Sequence, residues 1–279
     1  MAVVQLTPAM LSGLSEASRR CIERLLAHQA EGANSLDIPK SRHAAVLILL
    51  YEKSGGLKVL LTTRSKTLRT HPGQTALPGG KMDETDQDAF ETAYREAFEE
   101  VGLPMNHPAV HTLCALRPFF AVSKLLVTPV VAVLTDPSVL CSLTPCESEV
   151  DVIFDHPLEA LLDPTLSAQE RLVEIKSELW PAEEEYHNYS DNQWSWLGNS
   201  FYRMHRFRST ASAIKGLTAE ILITAAEIAY DRQPSYTRYA PGQFTTFNDI
   251  LRALDPKVFM ELRQIQTVST AGGIIVGRT

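Results

Sequence analysis

The alternation of apolar and polar positions along this chain predicts a succession of helices and strands. An amphipathic helix is predicted within residues 8–31, where apolar side chains recur at helical spacing. Two strand-length apolar runs, 43–51 and 57–63, are separated by a Ser-Gly-Gly turn and predict a β-hairpin. A polar loop with several glycines and prolines follows at 64–80.

A second helix is predicted directly after this loop. Residues 86–101 carry apolar side chains at the spacing of one helix face, and Gly102 stands where glycine commonly ends a helix. The pattern from 163 to 209 is weak, although acids and aromatic residues at 183–196 suggest a hairpin or an excursion. The other predicted elements are strands at 110–116, 127–134 and 150–154, a short helix within 157–162, and helices at 211–230 and 248–264.

Composition narrows the class of protein. The chain has 279 residues, of which 44% are hydrophobic and 21% charged, and its mean hydropathy is -0.08. These values are ordinary for a globular protein with a sizeable core, built as one enlarged domain or one domain with an extension. No uncharged apolar run reaches the ~18 residues of a membrane span, and the net charge of -7 argues against a nucleic-acid-binding surface. We therefore expect no membrane and no nucleic-acid partner, and the oligomeric state stays open.

The cysteines and the N-terminal residues bear on location. The four cysteines form no CxxC pair, and a chain of this size needs no disulfide framework. The N-terminal stretch mixes acidic and basic residues and lacks the apolar core of a secretory signal. We therefore expect an intracellular, cytoplasmic protein.

Acidic residues crowd the second predicted helix. On a helix Glu96, Glu99 and Glu100 share one face, where like charges repel by only a few tenths of a kcal/mol per pair. Charge alone therefore fits both a solvated surface and a metal site. The exposed backbone of Gly79 and Gly80 ahead of the helix favours the metal site, because Mg²⁺ binds carboxylate oxygens together with substrate phosphates.

Arg95 is the one base among eight acids between residues 83 and 100. It is four residues from both Glu91 and Glu99, and an ion pair with either would orient the carboxylates. The eight histidines show no metal-ligand spacing that would suggest a competing site.

Residues 80–103, GKMDETDQDAFETAYREAFEEVGL, resemble the Nudix box, G-x5-E-x7-R-E-U-x-E-E-x-G-U with U apolar. The second half of the motif matches at every defined position. The first half departs, because Asp86 replaces the glutamate and eight residues instead of seven separate it from Arg95. The same insertion and aspartate recur in the coenzyme A branch of the family, and the role of Asp86 stays open.

Residues 60–80, LLTTRSKTLRTHPGQTALPGG, resemble LLTxRSx3Rx3Gx3FPGG, the signature of coenzyme A diphosphatases. Leu77 replaces the aromatic residue of this signature, and further along Lys215 replaces the family's usual tryptophan. A match of this length is far more specific than a short glycine motif. The likeness spans about residues 43–230.

This resemblance implies an α/β fold, the Nudix α/β/α sandwich with a mixed β-sheet and a catalytic helix, plus N- and C-terminal helical extensions. We expect extensions at 1–36 and 233–279 around a Nudix domain at 37–232. The implied activity is metal-dependent hydrolysis of the diphosphate of coenzyme A or its derivatives to 3′,5′-ADP and (acyl-)4′-phosphopantetheine. The likeness also adds a peroxisome or mitochondrion to the cytoplasm as an expected location.

The resemblance further implies roles for individual side chains. Mg²⁺ or Mn²⁺ would bind Glu96, Glu99 and Glu100. Arg95 would orient Glu96, and the general base would be Glu96 or a loop carboxylate such as Glu149. Planar guanidinium groups engage two phosphate oxygens at once, so loop arginines suit the diphosphate. The residues expected to bind the substrate are Arg64, Ser65, Arg69, Gly73, Gly79 and Gly80.

Simpler roles exist for several of these residues. If they do not contact the substrate, Arg64 and Arg69 are surface cations near the acidic helix. If Ser65 and Gly73 do not bind the substrate, they only shape the loop. If Glu149 is not the general base, it only begins a strand.

Two other functions compete with coenzyme A hydrolysis. One keeps the enzyme class and changes the substrate to another nucleoside diphosphate derivative or an oxidised nucleotide. The other is a non-catalytic Nudix module that binds a nucleotide or a partner protein. The three intact glutamates speak against it, because such a module has no chemical need for all of them.

Overall fold

The computed structural model describes residues 6–7, 10–30, 38–254 and 260. Within them the helices are α1 (Glu16–Ala27), α2 (Ala89–Val101), α3 (Gly216–Tyr230) and α4 (Phe247–Ala253). The strands are β1 (His43–Lys53), β2 (Gly56–Arg64), β3 (Thr75–Ala76), β4 (Gly79–Lys81), β5 (Val110–Ala115), β6 (Phe119–Phe120), β7 (Leu126–Leu134), β8 (Val150–Pro157), β9 (His187–Trp194), β10 (Ser200–Phe207) and β11 (Ile214–Lys215). None of the described helices is long and apolar enough to cross a lipid bilayer.

One mixed sheet forms the centre of the fold. Its strand order is β3-β2-β1-β7-β5, with β4 paired to β1, β6 to β7 and β8 to β2. The β1–β2 hairpin closes with Lys53 opposite Gly56, as the Ser-Gly-Gly turn predicts. β1 and β7 run parallel, whereas the other pairs are antiparallel. The predicted mixed β-sheet is therefore confirmed, and β5, β7 and β8 are the strands predicted after α2.

Helices cover both faces of this sheet. Alternate residues of β1 project to opposite sides, so that Ile48 and Leu50 pack with α1 and α3, while Leu47 and Leu49 pack with α2. Burial on both faces explains why β1 is a continuous apolar run in the sequence. The layers confirm the predicted α/β/α sandwich.

A small second sheet lies beside the sandwich, with strand order β11-β10-β9. β9 and β10 form an antiparallel hairpin, of which the stretch 183–196 contains only β9, so the suggested hairpin extends further along the chain than the sequence indicates. The sequence pattern does not predict β10, because its buried positions include Arg203 and His205 as well as Phe207. A strand with polar residues on its inward face gives no apolar alternation.

Capping residues explain where the first two helices begin. α1 is shorter than the predicted 8–31 because Ser15 caps it and accepts a hydrogen bond from the Ser18 N–H. α2 begins at Ala89 rather than at residue 86, because Asp88 is its N-cap. It ends at Gly102 in the left-handed conformation, as predicted.

The later helices also differ from the predicted bounds. The predicted short helix is a 3₁₀ turn at Leu158–Leu161. α3 begins five residues late, at Gly216, because residues 214–215 pair with β10. α4 corresponds to the start of the predicted helix 248–264, of which residues 255–259 and 261–264 lie outside the described residues. The boundaries of the two expected extensions remain predictions.

Candidate active site

Two glycines allow β4 to lie directly beside α2. β4 pairs antiparallel with the start of β1, opposite Val46 and Ala45. Gly79 has a φ of 155°, and a Cβ there would lie 2.6 Å from the Cα of Val46. A Cβ on Gly80 would lie 2.7 Å from Oε2 of Glu96. Glycine at these two positions therefore lets the strand and the Glu96 carboxylate approach this closely.

Gly80→Ala is expected to push the Glu96 carboxylate away from β4. Mn²⁺ affinity should then fall by about 10- to 100-fold, the usual effect of disturbing the support of a metal ligand. Titration of free Mn²⁺ by electron paramagnetic resonance measures the change. Gly56→Ala is the matched control, because a Cβ there meets no atom within 4 Å. An unchanged Mn²⁺ affinity in Gly80→Ala would show that ion binding does not depend on the position of the Glu96 carboxylate.

Several carboxylates act on one another electrostatically at this point. Glu100 is buried, and its Oε2 accepts from the Gly79 N–H at 3.2 Å. Burial is the main cause that raises the pKa of Glu100 to about 7, and repulsion from Glu96 and Glu149 adds to it. Burial also raises the pKa of Glu96, with further repulsion from Glu99 and Glu149. The structure thus brings Glu149, just before β8, into electrostatic range of the α2 glutamates.

Arg95 holds two of these acids in place. Its Nη1 donates to Glu96 at 3.1 Å and to Glu99 at 3.0 Å, so the expected pairing with Glu99 is present. Glu91, the other partner considered, accepts from the Gln87 N–H instead. The arginine therefore fixes the carboxylates on one face of α2 relative to each other.

Asp86 anchors this arginine. Nε and Nη2 of Arg95 donate to the two carboxylate oxygens at 3.0 and 2.9 Å, and Thr92 Oγ1 donates at 2.9 Å. The hydrogen bonds from Arg95 are the main cause that lowers the pKa of Asp86 to about 2. The sequence offers only an acid nine residues before an arginine, and this spacing predicts no contact along a helix. The role of Asp86 therefore becomes visible only in the fold.

A cavity of 560 Å³ lies between β3, β6, the β9–β10 hairpin and the start of α3. Arg64 lines it, and the charge of the same guanidinium acts on Glu100, lowering the pKa of that carboxyl. The Nε of Arg64 is buried and has no hydrogen-bond partner among the described residues. The other basic side chains that line the cavity are His71, Arg117, Arg206 and Lys215. Its aromatic side chains include Phe119, Phe120, Trp194, Trp196, Tyr202 and Phe244.

The sequence predicts only part of this lining. Arg64 belongs to the family signature, whereas Arg117 and Arg206 belong to no recognisable motif. Arg117 precedes β6 and Arg206 lies in β10. They line the same cavity as Arg64 only because of how these two strands pair with their neighbours. No signal in the sequence identifies them as cavity residues.

The remaining predicted substrate residues lie in different surroundings. Ser65 is buried, and its N–H donates to the backbone oxygen of Glu149 at 2.8 Å, so it joins the loop to the start of β8. Gly73 has a φ of 67°, and its N–H donates to the Arg64 oxygen at 3.0 Å. Arg69 is exposed and lines neither the 560 Å³ cavity nor a second one of 620 Å³. The substrate-binding roles of these three residues remain predictions.

The donor chemistry of the glutamates fits a divalent cation. Glu96, Glu99 and Glu100 offer carboxylate oxygens, and the raised pKa values of Glu96 and Glu100 reflect burial and repulsion that a cation would relieve. The side chains are not gathered at ligand distances, because Glu99 bonds Arg95 and Glu100 bonds the Gly79 N–H. Accordingly, across the described ranges no three or more His, Cys, Asp or Glu side chains converge enough to hold a metal ion. The metal-binding roles remain predictions.

Known proteins resemble this chain over much of its length. A model of the NUDIX domain family matches residues 41–196. The chain is 38% identical over 207 residues to the mitochondrial Nudix hydrolase 15 of Arabidopsis thaliana, covering 72% of this chain and 64% of that protein. It is 40% identical over 151 residues to a mitochondrial coenzyme A diphosphatase of Homo sapiens, covering 53% and 60%. It is 44% identical over 127 residues to a peroxisomal coenzyme A diphosphatase of Caenorhabditis elegans, covering 44% and 51%. The chain thus spans less than two thirds of the length of these curated relatives.

Proposed function

Because the chain belongs to the Nudix family, we propose that it is a divalent-metal-dependent hydrolase that cleaves the diphosphate of coenzyme A and its acyl derivatives. Nudix hydrolases generally need divalent metal ions. The products would be 3′,5′-ADP and (acyl-)4′-phosphopantetheine. The observation that carries the proposal is the meeting of the buried Glu100 carboxylate, which Glu96 and Glu149 repel, with Arg64, whose guanidinium also lines the adjoining cavity.

Arg64, Arg95 and the three glutamates of α2 have distinct tasks in this reaction. Glu96, Glu99 and Glu100 would hold a divalent cation, which would acidify water and neutralise phosphate charge. Arg64 donates to the diphosphate oxygens, which would give its buried Nε, without a partner among the described residues, an acceptor. Arg95 acts as a positioning residue, because it holds Glu96 and Glu99 through hydrogen bonds.

A carboxylate accepts the proton of the attacking water. Glu149 is exposed and acts electrostatically on both Glu96 and Glu100, which supports it as the general base, and Glu96 is the alternative. As the water oxygen forms its bond to phosphorus, the bond to the bridging oxygen breaks. The leaving phosphate carries the released negative charge, and Arg64 stabilises the second half of the diphosphate.

Three features support coenzyme A as the substrate. Two relatives are named coenzyme A diphosphatases, and residues 60–80 resemble the signature of that group. The cavity volume of 560 Å³ is also within the usual range of small-molecule sites, roughly 300–1,000 Å³. Leu77 and Lys215 depart from the group's pattern and keep another nucleoside diphosphate derivative as the alternative substrate. Relatives named mitochondrial and peroxisomal support either compartment as the location, beside the cytoplasm.

A substrate panel tests this proposal. The purified protein is incubated with coenzyme A, an acyl-coenzyme A, ADP-ribose or an oxidised nucleotide, each with Mg²⁺, Mn²⁺ or EDTA, and the products are identified by mass spectrometry. We expect 3′,5′-ADP from the first two substrates, and no product in EDTA. Preferred cleavage of the oxidised nucleotide or of ADP-ribose would replace the proposed substrate. No cleavage of any compound would favour a non-catalytic binding module.

A further inference from the structure

Two like charges face each other on the small sheet. Arg206 of β10 lies directly opposite Lys215 of β11 in the antiparallel register. Side chains in such a pair project from the same face with Cβ atoms roughly 5 Å apart, and like charges there destabilise the sheet. Neither side chain forms an ion pair with a carboxylate within the part of the chain that the structure describes. The two charges therefore do not contribute to the stability of the sheet.

The neighbours of Arg206 do not neutralise it. Its guanidinium donates to two neutral oxygens, Oδ1 of Asn188 at 3.3 Å and Oγ of Ser190 at 3.0 Å. The charge of Arg206 contributes to lowering the pKa of Glu184. The Glu184 carboxylate is nevertheless exposed to solvent and accepts its hydrogen bond from Asn188. An exposed acid of this kind compensates little of the charge on the sheet.

The two side chains line two cavities. Arg206 and Lys215 line both the 560 Å³ cavity and a second one of 620 Å³. The other basic side chains around these cavities are Arg64, Lys66, His71 and Arg117. The acidic ones are Glu178 and Glu220, and Glu220 is already bonded to Arg238 at 3.0 Å. The linings of the two cavities therefore carry a positive excess that suits an anion.

This positive pair is distinct from the cations that act on the catalytic carboxylates. Arg64 is the cation that acts on Glu100, and Arg95 is the one that acts on Glu96. Arg206 and Lys215 are therefore additional to the cation that would meet a diphosphate held for hydrolysis, Arg64.

We infer that Arg206 and Lys215 form a subsite for a phosphate monoester of the substrate, separate from the diphosphate that is cleaved. A dianion between the two side chains turns their repulsion into two charge-assisted contacts. The inference rests on the proposed function, because coenzyme A carries a 3′-phosphate in addition to its diphosphate. It also distinguishes this substrate from ADP-ribose, which has a diphosphate and no monoester.

Kinetics with two substrates test the subsite. Coenzyme A and 3′-dephospho-coenzyme A differ only in the phosphate monoester. We expect Lys215→Gln and Arg206→Gln each to lower kcat/KM for coenzyme A by about tenfold, while 3′-dephospho-coenzyme A changes by less than about twofold. Equal losses on both substrates, or no loss on either, would overturn the inference.

Matched charge removals elsewhere serve as controls. Lys176 and Arg232 pair with Glu183 and Glu159 and line neither cavity, so Lys176→Gln and Arg232→Gln should keep the wild-type preference between the two substrates. Thermal melting adds a second readout. Lys215→Gln should melt at or above the wild-type temperature, because it removes the cross-strand repulsion. A lower melting temperature with equal kinetic losses would identify a structural role and refute the subsite.

Binding without catalysis separates this inference from the proposed function. Calorimetry in EDTA compares 3′,5′-ADP with 5′-AMP, and we expect wild-type protein to prefer 3′,5′-ADP and Lys215→Gln to lose that preference. If coenzyme A is not hydrolysed but the preference depends on Lys215, the subsite stands and the proposed function fails. If coenzyme A is hydrolysed and both proteins bind the two nucleotides with the same preference, the proposed function stands and the subsite fails.

Discussion

Glu100→Gln is expected to reduce hydrolysis of coenzyme A by at least about 100-fold while leaving the fold intact. An amide oxygen is a poorer ligand for a hard cation than a carboxylate, but it still accepts a hydrogen bond, so the contact with the Gly79 N–H can persist. Steady-state kinetics at saturating Mg²⁺ measures the loss, and circular dichroism checks the fold. Glu84→Gln is the control, because Glu84 is exposed and precedes α2. Turnover within twofold of wild type in Glu100→Gln would remove Glu100 from the site.

The same substitution should stabilise the metal-free protein at neutral and alkaline pH. Burial raises the pKa of Glu100 from 4.5 to about 7, so the folded state disfavours the charged form. The wild type therefore loses stability as pH rises from 4.5 to 7, and the full loss, roughly 3 kcal/mol at about 1.4 kcal/mol per pKa unit, is present above pH 7. Glutamine has no charge to bury. Urea unfolding in EDTA at pH 5 and pH 8 should show Glu100→Gln gaining much more on the wild type at pH 8 than at pH 5, and an equal difference at both pH values would contradict the assigned cause.

Asp86→Asn is expected to destabilise the protein by about 3 kcal/mol and to lower hydrolysis by about 10- to 100-fold. Asp86 is 2% exposed and holds Arg95 through both carboxylate oxygens. Without that charge the arginine is left partly uncompensated, and its hold on Glu96 and Glu99 loosens. Urea unfolding at pH 7 and coenzyme A kinetics measure the two effects.

Asp83→Asn is the matched control for this change. Its carboxylate is 65% exposed and lies 3.9 Å from Arg95, so removing its charge should have little effect. The lowered pKa of Asp86 also sets how its contribution to stability depends on pH. Because the pKa of Asp86 is lowered to about 2, its stabilisation is present above its ordinary value of 3.8 and is lost as pH falls towards 2. Equal stability and activity of Asp86→Asn and Asp83→Asn at pH 7 would contradict the anchoring role.

The elements with periodic apolar patterns were predictable from the sequence. β1 is buried on both faces and appears as a continuous apolar run, and α2 combines one apolar face with a capping glycine. β10 and the start of α3 were not predictable in the same way. β10 buries Arg203 and His205, and Ile214 and Lys215 join a strand although the helical pattern already includes them.

The candidate site likewise contains residues that the sequence predicts and residues that it does not. Glu96, Glu99, Glu100 and Arg64 belong to motifs whose spacing carries the resemblance, so the sequence alone identifies them. Asp86 and Arg206 act through contacts that depend on tertiary folding, namely a chain reversal before α2 and the register of β10 with β11. Spacing along the chain contains no information about either contact, which is why the sequence leaves the first open and does not identify the second.

In the proposed function the glutamates of α2 hold the divalent cation used in cleaving a phosphoanhydride. A crystal soaked in Mn²⁺ and measured at the manganese absorption edge tests it most directly. We predict an anomalous peak about 2 Å from carboxylate oxygens of Glu96 and Glu100, beside Gly80, with Glu99 turned from Arg95 towards the ion. Full manganese occupancy elsewhere on the protein, with no peak at these glutamates, would contradict the account.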